Sequence, residues 1–324
     1  MDVLDLVQLN LLSPVVLAFL LGVLATLVRS DLRFPEALYA SMSIYLLLAI
    51  GLKGGAELAK TPLAEVWRPG LIAIALSAAT PVWTYLILRK LGRFDVPNAA
   101  ALAAHYGSVS AVTFFASVAF LDAARVPHEG FLPALLAVME FPAILIALVL
   151  VRLNQPESTR WGEVFHEILS GRSILLLLGG LVIGLVAGKW GGGISSVAPL
   201  FVAPFQGVLM LFLLEMGMVA ANRLREIGKA GFFLVGFGVT MPILHGMLGV
   251  WLGHLCGLSM GGSVILGTLA SSASYIAAPA AVRIALPQAN PGYYLTAAIG
   301  ITFPFNLTCG IPLYYAAARW VFGA

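Results

Sequence analysis

The chain is built from apolar runs of about 20 residues, separated by short stretches where charges, proline or glycine gather. A helix of that length spans the hydrocarbon of a bilayer. About ten such runs can be drawn, at 11–28, 35–52, 69–88, 97–121, 130–151, 173–189, 197–220, 230–253, 260–286 and 293–319. In lipid every backbone N–H and C=O must be bonded within the structure, which excludes open strands, and the continuous runs lack the alternation of a barrel. The expectation is an all-α integral membrane protein with ten transmembrane helices.

Composition agrees. Apolar residues make up 60% of the chain and charged residues only 10%, whereas soluble proteins carry about 25% charged residues. Disorder is excluded by the same apolar excess, and a net charge of +3 spread between the runs gives no nucleic-acid footprint. No Walker loop, GxSxG, HExxH or dinucleotide fingerprint occurs, so the chain does not read as an enzyme, and energy must come from an ion gradient or from the solute's own. Cys256 and Cys309 lie within apolar runs without CxxC spacing and are expected to be small core residues. Asp2 and Asp5 precede the first run with no basic residue, the reverse of a signal peptide, so that run is expected to be a retained span. Asn306-Leu307-Thr308 matches a glycosylation sequon, but inside an apolar run.

Ten spans place both termini on one side. With the termini outside, 12 of the 18 basic residues are cytoplasmic, Arg89, Lys90, Arg93 and Arg172 among them, whereas Lys53, Lys60 and Arg68 count against that orientation. The expected location is the cytoplasmic (inner) membrane, multi-pass, with the termini on the outer side. The polar stretch 154–172 is then a cytoplasmic linker between halves 1–153 and 173–324. Within it Trp161, Phe165, Ile168 and Leu169 share one helical face, which fits either a surface amphipathic helix or a solvated linker.

Five spans per half is odd, so homologous halves must insert in opposite senses. Four landmarks recur in order. Ile50-Gly51-Leu52 answers Met216-Gly217-Met218 at an offset of 166 residues, and Thr80-Pro81 answers Met241-Pro242 at 161. Gly107-Ser108-Val109-Ser110 answers Ser271-Ser272-Ala273-Ser274 at 164, and Glu140-Phe141-Pro142 answers Thr302-Phe303-Pro304 at 162. Two inverted five-helix repeats follow from that shared spacing.

The Gly/Ser clusters fall in the middle of spans 4 and 9, and small polar residues let a helix break there. A break exposes the N–H groups that start its second half, an arrangement suited to an anion. In inverted halves two such ends converge near the midplane and offer N–H and hydroxyl donors without Arg or Lys, a fit for a small oxyanion. The bland reading is that Gly and Ser merely permit close packing. Glu140, an intramembrane carboxylate, can bind a cation, carry a proton or hold a neighbouring helix end. Glu215 has no acidic counterpart and is read as a helix-packing hydrogen bond, and the single histidines His105 and His245 are read as structural.

The segments His105–Phe114 and Ala270–Ala280, with Met139-Glu140-Phe141-Pro142 in support, resemble the sodium-dependent bicarbonate transporters of the cyanobacterial SbtA type, over nearly the whole chain. The resemblance implies ten helices in two inverted halves, divided into core and scaffold domains that move as an elevator. It implies a homotrimer in the lipid bilayer and a PII-like cytoplasmic regulatory protein, although the linker is short for the family. Carried over by position, Gly107, Ser108, Val109, Ser271, Ser272 and Ala273 line the bicarbonate site, and Ser110, Thr113, Glu140, Ser274, Thr302 and Asn306 surround the sodium ion. The expected function is sodium-coupled import of bicarbonate. The alternatives are a ten-helix carrier of a larger organic anion, or an uncoupled anion channel or sensor.

Overall fold

The structure is a computed structural model that describes residue 8 and residues 10–154, 162, 166, 170–224 and 227–323, the side chains of 227–230 excepted. Trp161, Phe165, Ile168 and Leu169 of the expected surface helix lie outside the described residues. Among the described residues there are helices and no strands.

The helices are α1 Pro14–Leu27, α2 Glu36–Leu58, α3 Leu63–Lys90, α4 Val96–Gly107, α5 Ala111–Ala123, α6 Leu132–Met139, α7 Pro142–Asn154 and α8 Arg172–Trp190. They continue as α9 Ala198–Phe201, α10 Phe205–Leu224, α11 Ile227–Leu255, α12 Met260–Ser271 and α13 Ala277–Ala285. The last rod, Pro291–Phe322, is α14 Pro291–Leu295, α15 Phe303–Phe305 and α16 Ile311–Phe322, joined by π-helical turns at Thr296–Thr302 and Asn306–Gly310. Eight stretches are long and apolar enough to cross a membrane; α1 and α12 are apolar but shorter. Each apolar run of the sequence falls on one of these stretches or on α1, except the run at 260–286, which is divided between α12 and α13.

Local chemistry sets the starts. Ser13 and Asp95 accept hydrogen bonds from Val16 N and Asn98 N, with proline just inside each helix, where a missing N–H costs nothing. Ser259 caps α12 through Gly262 N, and Asn290 caps α14 through Gly292 N.

Glycine brings backbones close in α2 with α8, in α1 with α10, and in α11 with α12, where a Cβ on Gly249 would lie 2.7 Å from Gly267 Cα. Along α2 and α8, Gly51 faces Leu177 and Gly180 while Gly55 faces Leu181 and Leu185, so the two helices run parallel. A Cβ on Gly51 would lie 2.7 Å from the Leu177 carbonyl oxygen, and one on Gly55 would collide with that of Leu181. Gly22 of α1 and Gly217 of α10 are in the same position against the Leu214 and Phe19 carbonyls. Glycine is required here because backbone meets backbone, the usual solution where lipid supplies no hydrophobic drive between helices.

The outer faces of α1 and α8 expose Leu17, Leu21, Leu24, Leu175, Val182 and Ile183. The opposite holds for the helices that lead into the two serine clusters: every residue of α4 is buried, and in α12 every residue after Met260. Cys309 is exposed and Cys256 is only partly covered, which corrects their expected core placement. A lipid-facing surface is as apolar as an interior, so an apolar neighbourhood does not distinguish them.

Candidate functional site

Spans 4 and 9 are both broken at their serine clusters. α4 ends at Gly107 and α5 starts at Ala111; α12 ends at Ser271 and α13 starts at Ala277. The residues that leave the first half-helices have almost the same backbone: Ser108 at φ −84, ψ 173 and Ser272 at φ −79, ψ 161. Both are extended and buried, with 1% of their surface exposed.

The two breaks are bonded to each other. Ser110 N–H donates to Ser272 Oγ at 2.9 Å, and Ser274 N–H donates to the His105 carbonyl at 2.8 Å. Ser272 Oγ in turn donates to the Leu269 carbonyl at 2.7 Å. Downstream, Ser110 Oγ accepts from Thr113 N–H at 3.2 Å, and Ser274 Oγ accepts from Ala278 N–H at 3.2 Å, so each serine caps the half-helix that follows it. By helix geometry Ala111, Val112 and Ala277 retain N–H groups with no acceptor inside their own helices. Both half-helix N-termini therefore carry donors and partial positive charge beside the crossing.

The neighbouring spans supply oxygen. Ser108 Oγ donates to the Glu140 carbonyl at 2.8 Å, where α6 gives way to α7. The Glu140 side chain is buried, and its Oε2 has no hydrogen-bond partner among the described residues. Asn306 Nδ2 donates to the Ser271 carbonyl at 3.0 Å, and Asn306 Oδ1 lies 2.9 Å from Tyr314 Oη. Asn306 heads the second π-helical turn, the kind of widened turn that often accompanies a site because it frees backbone groups.

The expected residues thus divide. Ser108 joins Glu140, Ser110 joins Ser272, Ser271 joins Asn306, and Ser110 and Ser274 cap the half-helix starts, the former through the Thr113 N–H; Val109 and Ala273 are buried between them. Thr302 is apart from this set: it takes part in a 2.7 Å bond with Tyr106 Oη and donates to the Gly238 carbonyl at 2.7 Å, tying the first π-helical turn to α4 and α11. Gly107 is closely packed against α3 and α7. A Cβ there would lie 2.6 Å from Pro81 Cδ and 2.8 Å from Ala143 Cβ. His105 and His245 sit in packed positions, His105 Nδ1 2.6 Å from the Ala101 carbonyl with its ring stacked on Tyr294, and His245 Nε2 accepting from Trp83 Nε1 at 2.8 Å. Glu215 Oε2 is buried and makes no hydrogen bond among the described residues, so the expected packing hydrogen bond is not seen at that atom.

One contact had no sequence signal. Asn10, ahead of α1, is buried and donates to the Leu307 carbonyl at 2.7 Å and to the Thr308 carbonyl at 3.2 Å, on the second π-helical turn. A single Asn before an apolar run resembles any helix-start polar residue, and its partner lies 297 residues away.

A family model described as the Na+-dependent bicarbonate transporter superfamily matches residues 14–319. The chain belongs to that superfamily. It is a family of multi-pass membrane transporters rather than enzymes, in which transport of bicarbonate depends on sodium. No individual curated protein matches the chain.

Proposed function

We propose that the chain is a symporter that imports bicarbonate with sodium across the cytoplasmic membrane. The observation that carries this reading is the crossing of two broken helices, each ending in an extended serine and each bonded to the other by a backbone N–H. An oxyanion at the exposed N–H groups of Ala111, Val112 and Ala277 would meet donors from both half-helices without a fixed cation. Gly107, Ser108, Val109, Ser271, Ser272 and Ala273 form the wall of that anion site, with Gly107 acting through the close approach of α4 to Pro81 and Ala143. Sodium is assigned to the oxygen-rich side, among Ser110, Thr113, Glu140, Ser274, Thr302 and Asn306. A cation beside the anion lowers the net charge that has to cross the low-dielectric interior.

The fold is read as two inverted five-helix repeats, 1–153 and 173–324, about the linker 154–172. Two ties outside the serine motifs support this. Asn98, in the first turn of α4, accepts from Asn290 N–H at 2.7 Å just before α14. Ser259, at the start of α12, donates its N–H to Glu129 Oε1 at 2.6 Å just before α6. Asn98 and Ser259, and likewise Glu129 and Asn290, are 161 residues apart, the offset that relates Thr80-Pro81 to Met241-Pro242. The glycine-tight pairs α2–α8 and α1–α10 suit a fixed scaffold, and the buried broken helices suit a core that slides against it as an elevator. The termini lie outside in this reading, three copies assemble through scaffold faces, and a PII-like protein acts from the linker side.

Purified protein in liposomes, loaded with and without an inward sodium gradient, tests the reading by labelled bicarbonate uptake. A concentrative uptake that needs the gradient is expected. Equal uptake in both conditions refutes coupling, non-saturating flux indicates a channel, and competition by bulky carboxylates indicates an organic-anion carrier.

A further inference from the structure

The crossing is closely packed, but one cavity reaches its edge. It has a volume of about 340 Å³ and lies between Ile144 of α7, the first turn of α13 around Ala277, and the first turn of α8. α8 is 19 residues long and starts at Arg172; its N-cap, Gly171, offers no side chain to the first N–H groups. α13 starts at the same cavity; its N-cap, Ile276, makes no side-chain cap, and Ser274 Oγ takes the Ala278 N–H but not that of Ala277. Two helix N-termini therefore point partial positive charge into one space.

Two side chains on the wall add to this. Arg172 is exposed to the cavity and makes no ion pair among the described residues. Ser173 is buried, with 4% of its surface exposed, and its Oγ has no hydrogen-bond partner among the described residues. A buried hydroxyl without a partner is costly unless a ligand completes it. A smaller cavity of about 180 Å³ gives the contrast: it has Lys53 and Asp122 on its wall, so a cation there already faces an acid. The parallel packing of α2 on α8 sets Gly51 beside Gly180, so Arg172 lies two helical turns toward the α2 N-terminus from that contact, whereas Lys53 lies beyond it on the other side.

We propose that the Arg172 cavity is a second oxyanion site, a station that bicarbonate occupies on its way between the crossing and the cytoplasm. The proposal rests on the transport reading for the identity of its occupant, but the site itself is read by binding alone. Arg172 and Ser173 hold the anion from the α8 side, and the α13 start hands it over from the crossing. The contact is made by one exposed guanidinium and helix-end N–H groups, so binding is weak and release is fast.

The test uses protein with Cys256→Ala and Cys309→Ala, and Ala280→Cys as a reporter on the cavity wall, alkylated by a neutral maleimide in open membranes of phosphatidylcholine. Sodium bicarbonate is expected to slow the alkylation, with sodium chloride at equal ionic strength having no effect. Arg172→Gln should raise the protecting concentration about fivefold, the scale of a single exposed charge contact, and Arg172→Lys should recover most of it. Protection that ignores residue 172 overturns the site. Protection by inorganic phosphate but not by bicarbonate, or protection that requires phosphatidylglycerol in the membrane, overturns bicarbonate as the occupant. Should the liposomes show no sodium-coupled uptake while residue 172 still governs protection, the transport reading falls and the anion site stands.

Discussion

Ser108 and Ser272 hold equivalent places in the two serine clusters but do unequal work, and truncating them should show it. Ser272 Oγ accepts the Ser110 N–H at 2.9 Å and donates to the Leu269 carbonyl at 2.7 Å. In Ser272→Ala the Leu269 carbonyl keeps the Ser272 N–H at 3.1 Å, but the Ser110 N–H, in a residue 4% exposed, loses its acceptor. An orphaned buried donor costs about 1–3 kcal/mol. Ser108 Oγ only donates, to the Glu140 carbonyl at 2.8 Å; Ser108→Ala takes that donor from the carbonyl but strands no N–H, and an under-satisfied carbonyl is tolerated better than an orphaned N–H, so the cost should be about 0.5–1.5 kcal/mol. Reversible unfolding in mixed micelles at increasing dodecyl sulfate should therefore rank Ser272→Ala below Ser108→Ala by about 1 kcal/mol. Uptake should fall further in the Ser272 variant, because the lost bond is the one that clamps the two breaks together. A Ser108→Ala loss as large as that of Ser272→Ala would refute the asymmetry. Leucine is a poor probe at either site: both serines are enclosed and bonded, so a larger side chain tests overpacking rather than the anion pocket.

Three further outcomes are expected. Gly55→Val should abolish monodisperse expression, because its Cβ would strike the Leu181 carbonyl, while Gly179→Ala on the facing helix, with open space around it, should be tolerated or slightly stabilising in a thermal-shift assay. Asn10→Ala should lower thermal stability by about 1–2 kcal/mol, because it unties the chain ahead of α1 from the Leu307 carbonyl, and a stability equal to wild type would show the tie to be idle. Glu140→Gln keeps the size and removes the charge; if the carboxylate helps hold sodium, the sodium half-saturation of uptake should rise about tenfold with that of bicarbonate moving much less, whereas a parallel loss of both would assign Glu140 to packing.

The spans were legible because lipid imposes a length and a polarity on any backbone that crosses it. The breaks were legible for a related reason: hydroxyl residues at Ser108–Ser110 and Ser271–Ser274 are conspicuous in otherwise apolar runs. What a run of residue types does not carry is partnership. Gly107 reads as a loosened backbone in the sequence, and only the position of Pro81 and Ala143 turns it into a packing requirement. Thr302 reads as the counterpart of Glu140, yet its hydroxyl is taken by Tyr106 and the Gly238 carbonyl. Period-based reading fails on Cys309 because lipid-facing and interior faces are both apolar, and it gives no hint of the π-helical turns that follow Leu295 and Phe305.

On the inverted-repeat reading, the unequal bonds are where selectivity has to arise. Two identical half-sites would present the same groups twice, but an anion needs donors and a cation needs oxygen acceptors. At the offset that aligns Glu140 with Thr302, Asn306 aligns with Ile144, so the first half contributes a carboxylate where the second has a hydroxyl, and the second an amide where the first has a hydrocarbon. The hydrogen bonds follow this inequality: Ser108 turns to the Glu140 carbonyl, and Asn306 fixes the Ser271 carbonyl. Exchanging the two groups, as Glu140→Thr with Thr302→Glu, conserves composition and formal charge while moving the carboxylate into the network of Tyr106 and Gly238. If position rather than content matters, the exchanged protein should fold but lose sodium dependence. Retained sodium-coupled uptake would mean that the two halves are interchangeable and that the asymmetry of bonds around the crossing has no part in choosing the ion.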